Sequence, residues 1–340
     1  MSRDWTAPLI TLCWRLADKA PESALRAASV IGADATWLLH GGGVRQLEAN
    51  LRRVRPHASP RELRALSRAG MRSYFRYFAE AFAMSGLTPE QIAARVRPVA
   101  MEEVERALAT DQPVVMALGH MGNWDLAGAW GTVALAPVTT VAERLKPEEL
   151  FQEFLEFRRG IGLTIIPLSG DGSVFRQLLR AARGPRGIIP LLADRDLSAR
   201  GGVEVELFGT RARVAAGPAS LAIATGAPLV AVTISYERLQ GERRRAARSP
   251  WGIVIEFHPF VPVPQQGSSS EKVAAMTQAW VDDLADGIAR APQDWHMLQK
   301  VFVDDLDSRR YAETLAAGLA AADSTSDTTS DRASDGQARA

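Results

Sequence analysis

His120 and Asp125 are the side chains of this sequence best suited to moving a proton. They lie in Gly119-His120-Met121-Gly122-Asn123-Trp124-Asp125, where glycines leave room around the imidazole. Imidazole takes up and returns a proton near neutrality, and a carboxylate on one ring nitrogen leaves the other as base. Asp125 is expected to turn back and supply that carboxylate. The spacing alone leaves a second reading open, a hydrogen-bonded structural histidine beside a capping aspartate. His57 and Glu62 repeat the spacing, but Ser59-Pro60-Arg61-Glu62 reads as a helix capping box with proline at the first helical position.

The elements around the pair decide its setting. Pro113 to Leu118 is short and wholly apolar, the pattern of a buried strand. Trp124 to Trp130 reads as the start of a helix with Asn123 as N-cap. His120 is thereby placed at the carboxyl end of a strand, where ligands gather in α/β sheets. The adjoining helix dipole disfavours imidazolium there.

A second charged group ends another apolar run. Gly187 to Ala193 reads as a strand and runs into Asp194-Arg195-Asp196. Charges at a buried strand end need solvent, partners or a ligand. Three readings stand side by side: an Asp-x-Asp metal site of a glycosyltransferase, a polar rim with Arg195 on a carboxylate or phosphate, and a structural ion-pair cluster. Glu143 follows a further strand, 137–142, and Arg158 lies near the end of the helix 147–160, a position the helix dipole alone favours.

The pattern along the chain is strand and helix in alternation. Apolar runs at 163–168, 202–209, 227–236 and 252–259 read as strands, and 60–84, 101–109, 173–183, 215–222 and 268–288 as helices. Gly41-Gly42-Gly43 reads as a connector without the Lys-Ser/Thr of a phosphate loop. Residues 237–250 read as an irregular, arginine-rich excursion, exposed and hairpin-like. The expected fold is α/β, with a mostly parallel or mixed central sheet, helices on both faces and an N-terminal helical cap. It is read as one domain over 1–322: the cap at 1–100, the sheet core at 111–260 and a closing segment at 270–305. The Ser-, Thr- and Asp-rich stretch 323–340 is expected to be disordered.

Composition narrows the classes. The chain has 340 residues, 46% of them hydrophobic, and a formal charge of +1, with arginine supplying nearly all the basic charge. Cys13 is the single cysteine, which excludes an internal disulfide and a cysteine-rich metal site. No signal peptide or membrane span is evident, so a cytoplasmic protein is expected, at most bound to a membrane surface. Two features suit such a surface. Residues 5–40 read as two amphipathic helices bearing Trp5, Trp14 and Trp37, and Arg64, Arg68, Arg72 and Arg76 form an i, i+4 stripe. A stripe of this kind is attracted to anionic headgroups by about 1 kcal/mol per residue, although a solvated face explains it equally simply. Nucleic-acid binding is not expected, because no exposed aromatics pair on strands.

The block at 119–125 resembles the His-x-x-x-x-Asp block of the bacterial lipid A and lysophospholipid acyltransferase superfamily. Asn50-Leu51, Gly202-Val203-Glu204-Val205-Glu206-Leu207-Phe208-Gly209, the small-residue helix after Ala215 and Pro292-Gln293-Asp294-Trp295 match further segments in order. Leu207 departs from a frequent aromatic, and Trp295-His296-Met297 resembles the phosphatidylinositol mannoside acyltransferase subgroup. The resemblance implies transfer of a fatty acyl chain from acyl-CoA to a mannose hydroxyl of a phosphatidylinositol mannoside. His120 would be the base and Asp125 its orienting acid, with no acyl-enzyme, metal or cofactor. Glu143, Arg158, Asp194 and Arg195 would contact substrate, and the protein would sit at the cytoplasmic face of the membrane. Transfer from an acyl carrier protein to another lipid is the nearest variant, and a metal-dependent glycosyltransferase using Asp194 and Asp196 is a rival of another class.

Overall fold

The computed structural model describes residues 21–144, 147–168, 173–196, 202–308 and 311–312. The expectations for residues 5–20, Cys13, the turn before Ser173 and the tail 323–340 lie outside them. The described elements, in chain order, are α1 (Glu22–Leu39), α2 (Gly42–Val54), α3 (Pro60–Ala83), α4 (Pro89–Arg95), β1 (Val96–Val99), α5 (Glu102–Ala109), β2 (Val114–Leu118) and α6 (Trp124–Ala134). They continue with β3 (Thr139–Ala142), α7 (Glu148–Gly160), β4 (Thr164–Pro167), α8 (Ser173–Ala182), β5 (Ile188–Leu192), β6 (Gly202–Leu207), β7 (Thr210–Ala215) and α9 (Gly217–Thr225). The last are β8 (Leu229–Arg238), α10 (Gly241–Ala247), β9 (Trp251–Phe260) and α11 (Ser269–Arg290).

The central sheet has the order β1-β9-β8-β2-β5. Its pairs are parallel except β8 with β9, which run antiparallel around α10. The parallel pair β3-β4 abuts it through a bridge between Val138 and Ile188. This is the mixed, mostly parallel α/β sheet with helices on both faces that the sequence pattern implies. β2 is buried along its whole length, as a central strand covered on both sides must be.

Alternation along β2 divides the core. Val115 and Ala117 pack with Leu191, Leu229, Trp280, Leu284 and Leu221, beneath α9 and α11. Val114, Met116 and Leu118 pack with Leu108, Leu126, Trp130, Phe151 and Leu155, beneath α5, α6 and α7. A third cluster joins α1, α2 and α3 through Ala33, Leu47, Leu51 and Met71. Asn50 ties this cap to the C-terminal segment by donating to the carbonyls of Met297 (2.8 Å) and Gln299 (2.9 Å).

Three local readings change. The glycine connector shrinks to Gly41, because Gly42 and Gly43 open α2. The excursion at 237–250 is hairpin-like as read, an extension of the β8 and β9 ribbon, but α10 forms its tip, so Arg243, Arg244 and Arg245 are helical rather than irregular. The strand at 202–209 leaves the main sheet and pairs antiparallel with β7.

Candidate active site

Register assembles the site. Leu118 of β2 is the in-register partner of Leu192 of β5, and the Ala193 N–H donates to the Leu118 carbonyl at 2.8 Å. Two residues past this pair on each strand stand His120 and Asp194. The Asp194 carboxylate accepts from the His120 backbone N–H at 2.9 Å and meets the ring Nδ1 at 2.5 Å. The Trp295 indole N–H donates to the same carboxylate at 2.9 Å. Asp194 is buried, while 23% of the His120 side chain remains exposed. Burial alone would raise the Asp194 pKa, but the attraction of His120 and the three hydrogen bonds hold it below the ordinary value. The Nε2 atom of His120 hydrogen-bonds to none of the described residues.

The loop carrying His120 has little freedom. A Cβ at Gly119 would lie 3.3 Å from Asp194 Oδ2, so a side chain there crowds the pair. Gly122 has φ +56°, and a Cβ on it would meet the Ile234 carbonyl oxygen at 2.8 Å. The Gly122 N–H donates to the Asp294 carbonyl, and the His296 N–H donates to the His120 carbonyl at 2.7 Å. The Pro292-x-x-Trp295 segment thus clamps the loop from behind.

The expected Asp125–His120 contact does not form. Asp125 occupies the first turn of α6 and faces α7 and α3 instead. It accepts from Arg158 Nε (2.8 Å) and Nη2 (3.3 Å) and from the Tyr77 hydroxyl (2.8 Å). Burial disfavours the Arg158 charge, but Asp125 and Tyr77 together more than offset this and raise its pKa. Tyr77 is pushed up by burial and by the same carboxylate. Trp124 stacks on Tyr77 at 4.0 Å between ring centres and stands edge-on to His120 at 5.7 Å. Asp125 therefore braces the wall of the site, and Asp194 makes the ring contact read for Asp125.

The other named residues divide. Asp194 is enclosed and does not offer itself to a substrate or, with Asp196, to a metal. Arg195 Nη2 lies 3.5 Å from Glu143 Oε2, and the Glu143 side chain is 69% exposed, so this pair forms an open rim. Asn123 caps α6 through the Leu126 N–H, as read, and also donates to the buried Glu80, whose pKa burial raises. Among the described residues no group of three or more His, Cys, Asp or Glu is placed to hold a metal ion. Beside the site lies a cavity of about 50 Å³ walled by Leu118, Gly128, Val141, Leu163 and Leu192, with Trp124, Asp125 and Arg158 also on its lining.

Sequence reading passed over Tyr77 and did not link Trp295 to Asp194. Tyr77 falls among the apolar residues of α3 and carries no local mark of its partner. Asp194 did carry one, since it stands as far beyond its strand as His120 stands beyond its own.

The family model for bacterial lipid A biosynthesis acyltransferases matches residues 1–303. A phosphatidylinositol mannoside acyltransferase of Mycolicibacterium smegmatis is 38% identical over 301 residues, covering 88% of this chain and 92% of that protein. A protein of the same name from Mycobacterium tuberculosis is 38% identical over 306 residues, covering 88% and 89%. In the crystal structure of a 1-acyl-sn-glycerophosphate acyltransferase from Thermotoga maritima, a chain overlaps at TM-score 0.33 and 13% identity, covering 78% of this chain and 94% of that one.

Proposed function

The chain belongs to the bacterial lipid A biosynthesis acyltransferase family, and from that premise we propose that it moves a fatty acyl chain from acyl-CoA to a mannose hydroxyl of a phosphatidylinositol mannoside. The observation that carries the reading is the 2.5 Å contact of Asp194 with Nδ1 of a partly exposed His120, which leaves Nε2 for an incoming hydroxyl. The acceptor follows the names of the two relatives at 38% identity.

Nε2 of His120 takes the hydroxyl proton as the oxygen attacks the thioester carbonyl carbon. The tetrahedral intermediate collapses, the carbon–sulfur bond breaks, and the coenzyme A thiolate leaves and recovers the proton from the imidazolium. Asp194 holds the neutral ring in one tautomer and stabilises the cation formed. The amide N–H groups of Trp124 and Asp125 start α6 and have no intrahelical acceptor, so they suit the developing oxyanion. The cavity along Leu118, Val141 and Leu192 begins the path for the alkyl chain.

No described helix is long and apolar enough to cross a membrane. Ile31 (71% exposed), Leu38 (70%) and Leu39 (83%) of α1 present apolar surface instead. We assign α1 to the lipid interface, with the protein peripheral at the cytoplasmic face.

Incubating the pure protein with acyl-CoA and a panel of phosphatidylinositol mannosides, with products identified by mass, tests the reaction. Acylated mannoside is expected from the parent, and none from His120→Ala at an unchanged circular dichroism spectrum. Wild-type turnover in that variant, or acylation of other lipids only, would sink the proposal.

A further inference from the structure

A cavity of about 590 Å³ lies along α3, apart from the alkyl path, and Arg61, Arg64, Arg68, Arg72 and Arg76 all line it. Like charges at i, i+4 spacing on a helix repel, so such a row persists where something offsets the repulsion. The offset within the chain is partial. Asp34 is gripped by both Arg68 and Arg72 through Nε and Nη2, at 2.6–3.0 Å. Glu48 accepts from Arg64 Nη1 at 2.7 Å. Arg76 makes no salt bridge among the described residues, although its charge acts on Asp294 and Glu80, and it lies over the rings of Trp251 (3.6 Å) and Tyr236 (4.6 Å). Arg61 has no ion pair among the described residues. Counting Asp294 on the cavity wall and the buried Glu80 beside Arg76, five guanidinium groups are set against four carboxylates in or behind the cavity.

Asp34 fixes the planes of Arg68 and Arg72 and uses one edge of each, so the Nη1 groups donate to no described residue. Arg64 keeps Nη2 and Nε. Forked donors held in place by a carboxylate behind them match an oxyanion with several acceptor oxygens, the geometry at which arginine surpasses lysine. The wall opposite is joined to the site. Ser73 donates to Asp294 Oδ1 at 2.7 Å and meets His296 Nε2 at 3.0 Å, and the His296 backbone holds the His120 carbonyl.

We propose that this arginine-lined cavity is a binding site for a phosphate-bearing ligand, entered by the phosphates of coenzyme A or by the phosphodiester of an inositol lipid. The two sources share the chemistry that the guanidinium row recognises. Binding is read without turnover, so the site stands or falls separately from the transfer reaction.

The test measures equilibrium binding of the intact protein at low ionic strength to coenzyme A and to phosphatidylcholine vesicles with and without phosphatidylinositol. Arg61→Glu and Arg76→Gln are compared with the parent and with Arg106→Gln, an exposed change on α5. Arg61→Glu alters an exposed side chain that no described residue pairs with, so folding is not at stake. Loss of two charge-assisted donors is expected to weaken binding roughly tenfold or more. A loss confined to coenzyme A assigns the cavity to the donor, and a loss confined to phosphatidylinositol vesicles assigns it to a lipid headgroup. A loss with both probes supports a shared phosphate site. Binding within about twofold of the parent by both folded variants, with both probes, overturns the proposal.

Discussion

The indole N–H of Trp295 and the backbone N–H of His120 converge on one oxygen of Asp194, at 2.9 Å each, while the other oxygen meets the imidazole. The carboxylate is thus held from two sides before it holds the ring. Such double restraint fixes the orientation of the carboxylate toward the ring.

Asp194→Asn separates the two aspartates. Asparagine fits the space but favours the wrong tautomer of His120, and turnover is expected to fall by roughly 10³- to 10⁴-fold. Asp125→Asn instead leaves the buried Arg158 without its counter-charge, at a cost of roughly 3–5 kcal/mol in stability. Denaturant melts and single-turnover rates on both variants check this. Equal loss of rate without loss of stability in Asp125→Asn would return the orienting role to Asp125.

Trp295→Phe removes one donor to Asp194 while keeping most of the packing. A hydrogen bond to a charged group contributes roughly 1.5–3 kcal/mol, so a fall in thermal midpoint and a lower kcat are expected together. An unchanged kcat with an unchanged midpoint would show that this donor is idle.

His296 gives a pH signature in stability. Burial, with the nearby Arg76 and His120, pulls its pKa from 6.5 down to about 3. The unfolded chain therefore binds a proton between those values that the native state refuses. Stability is complete above about pH 6.5 and is lost as pH falls toward 3, by several kcal/mol in total. Urea melts across that range should show a slope that is smaller in His296→Gln. An identical slope in both proteins would assign the acid sensitivity elsewhere.

Gly122→Ala places a Cβ against the Ile234 carbonyl at a positive φ. A cost on the order of 1–3 kcal/mol is expected, together with displacement of the His120 loop. Calorimetry and the acyl transfer rate should fall in step.

Much of this was legible from pattern. Buried strands are continuous apolar runs, and a capping box announces α3, so β2, β5 and that helix were readable. The placement of His120 between a strand and a helix was legible because both elements are local. The carboxylate was misplaced because proximity in sequence stood in for proximity in space. Asp125 is five residues from His120 and turns away, whereas Asp194 is 74 residues distant and touches it. Partners across a parallel sheet follow from strand order, which periodicity does not encode. Tyr77 was invisible for the same reason, since its role exists only once α3 crosses the start of α6.

The in-register pairing of Leu118 with Leu192 makes the His120–Asp194 contact a vernier for the whole sheet. Sliding β5 by one residue against β2 would carry Asp194 to the opposite side of the layer and leave the imidazole unheld. Catalysis then becomes a sensor of correct strand alignment: a compact chain with native helix content but a misplaced strand would be silent, and recovery of activity during refolding would time the alignment rather than the collapse.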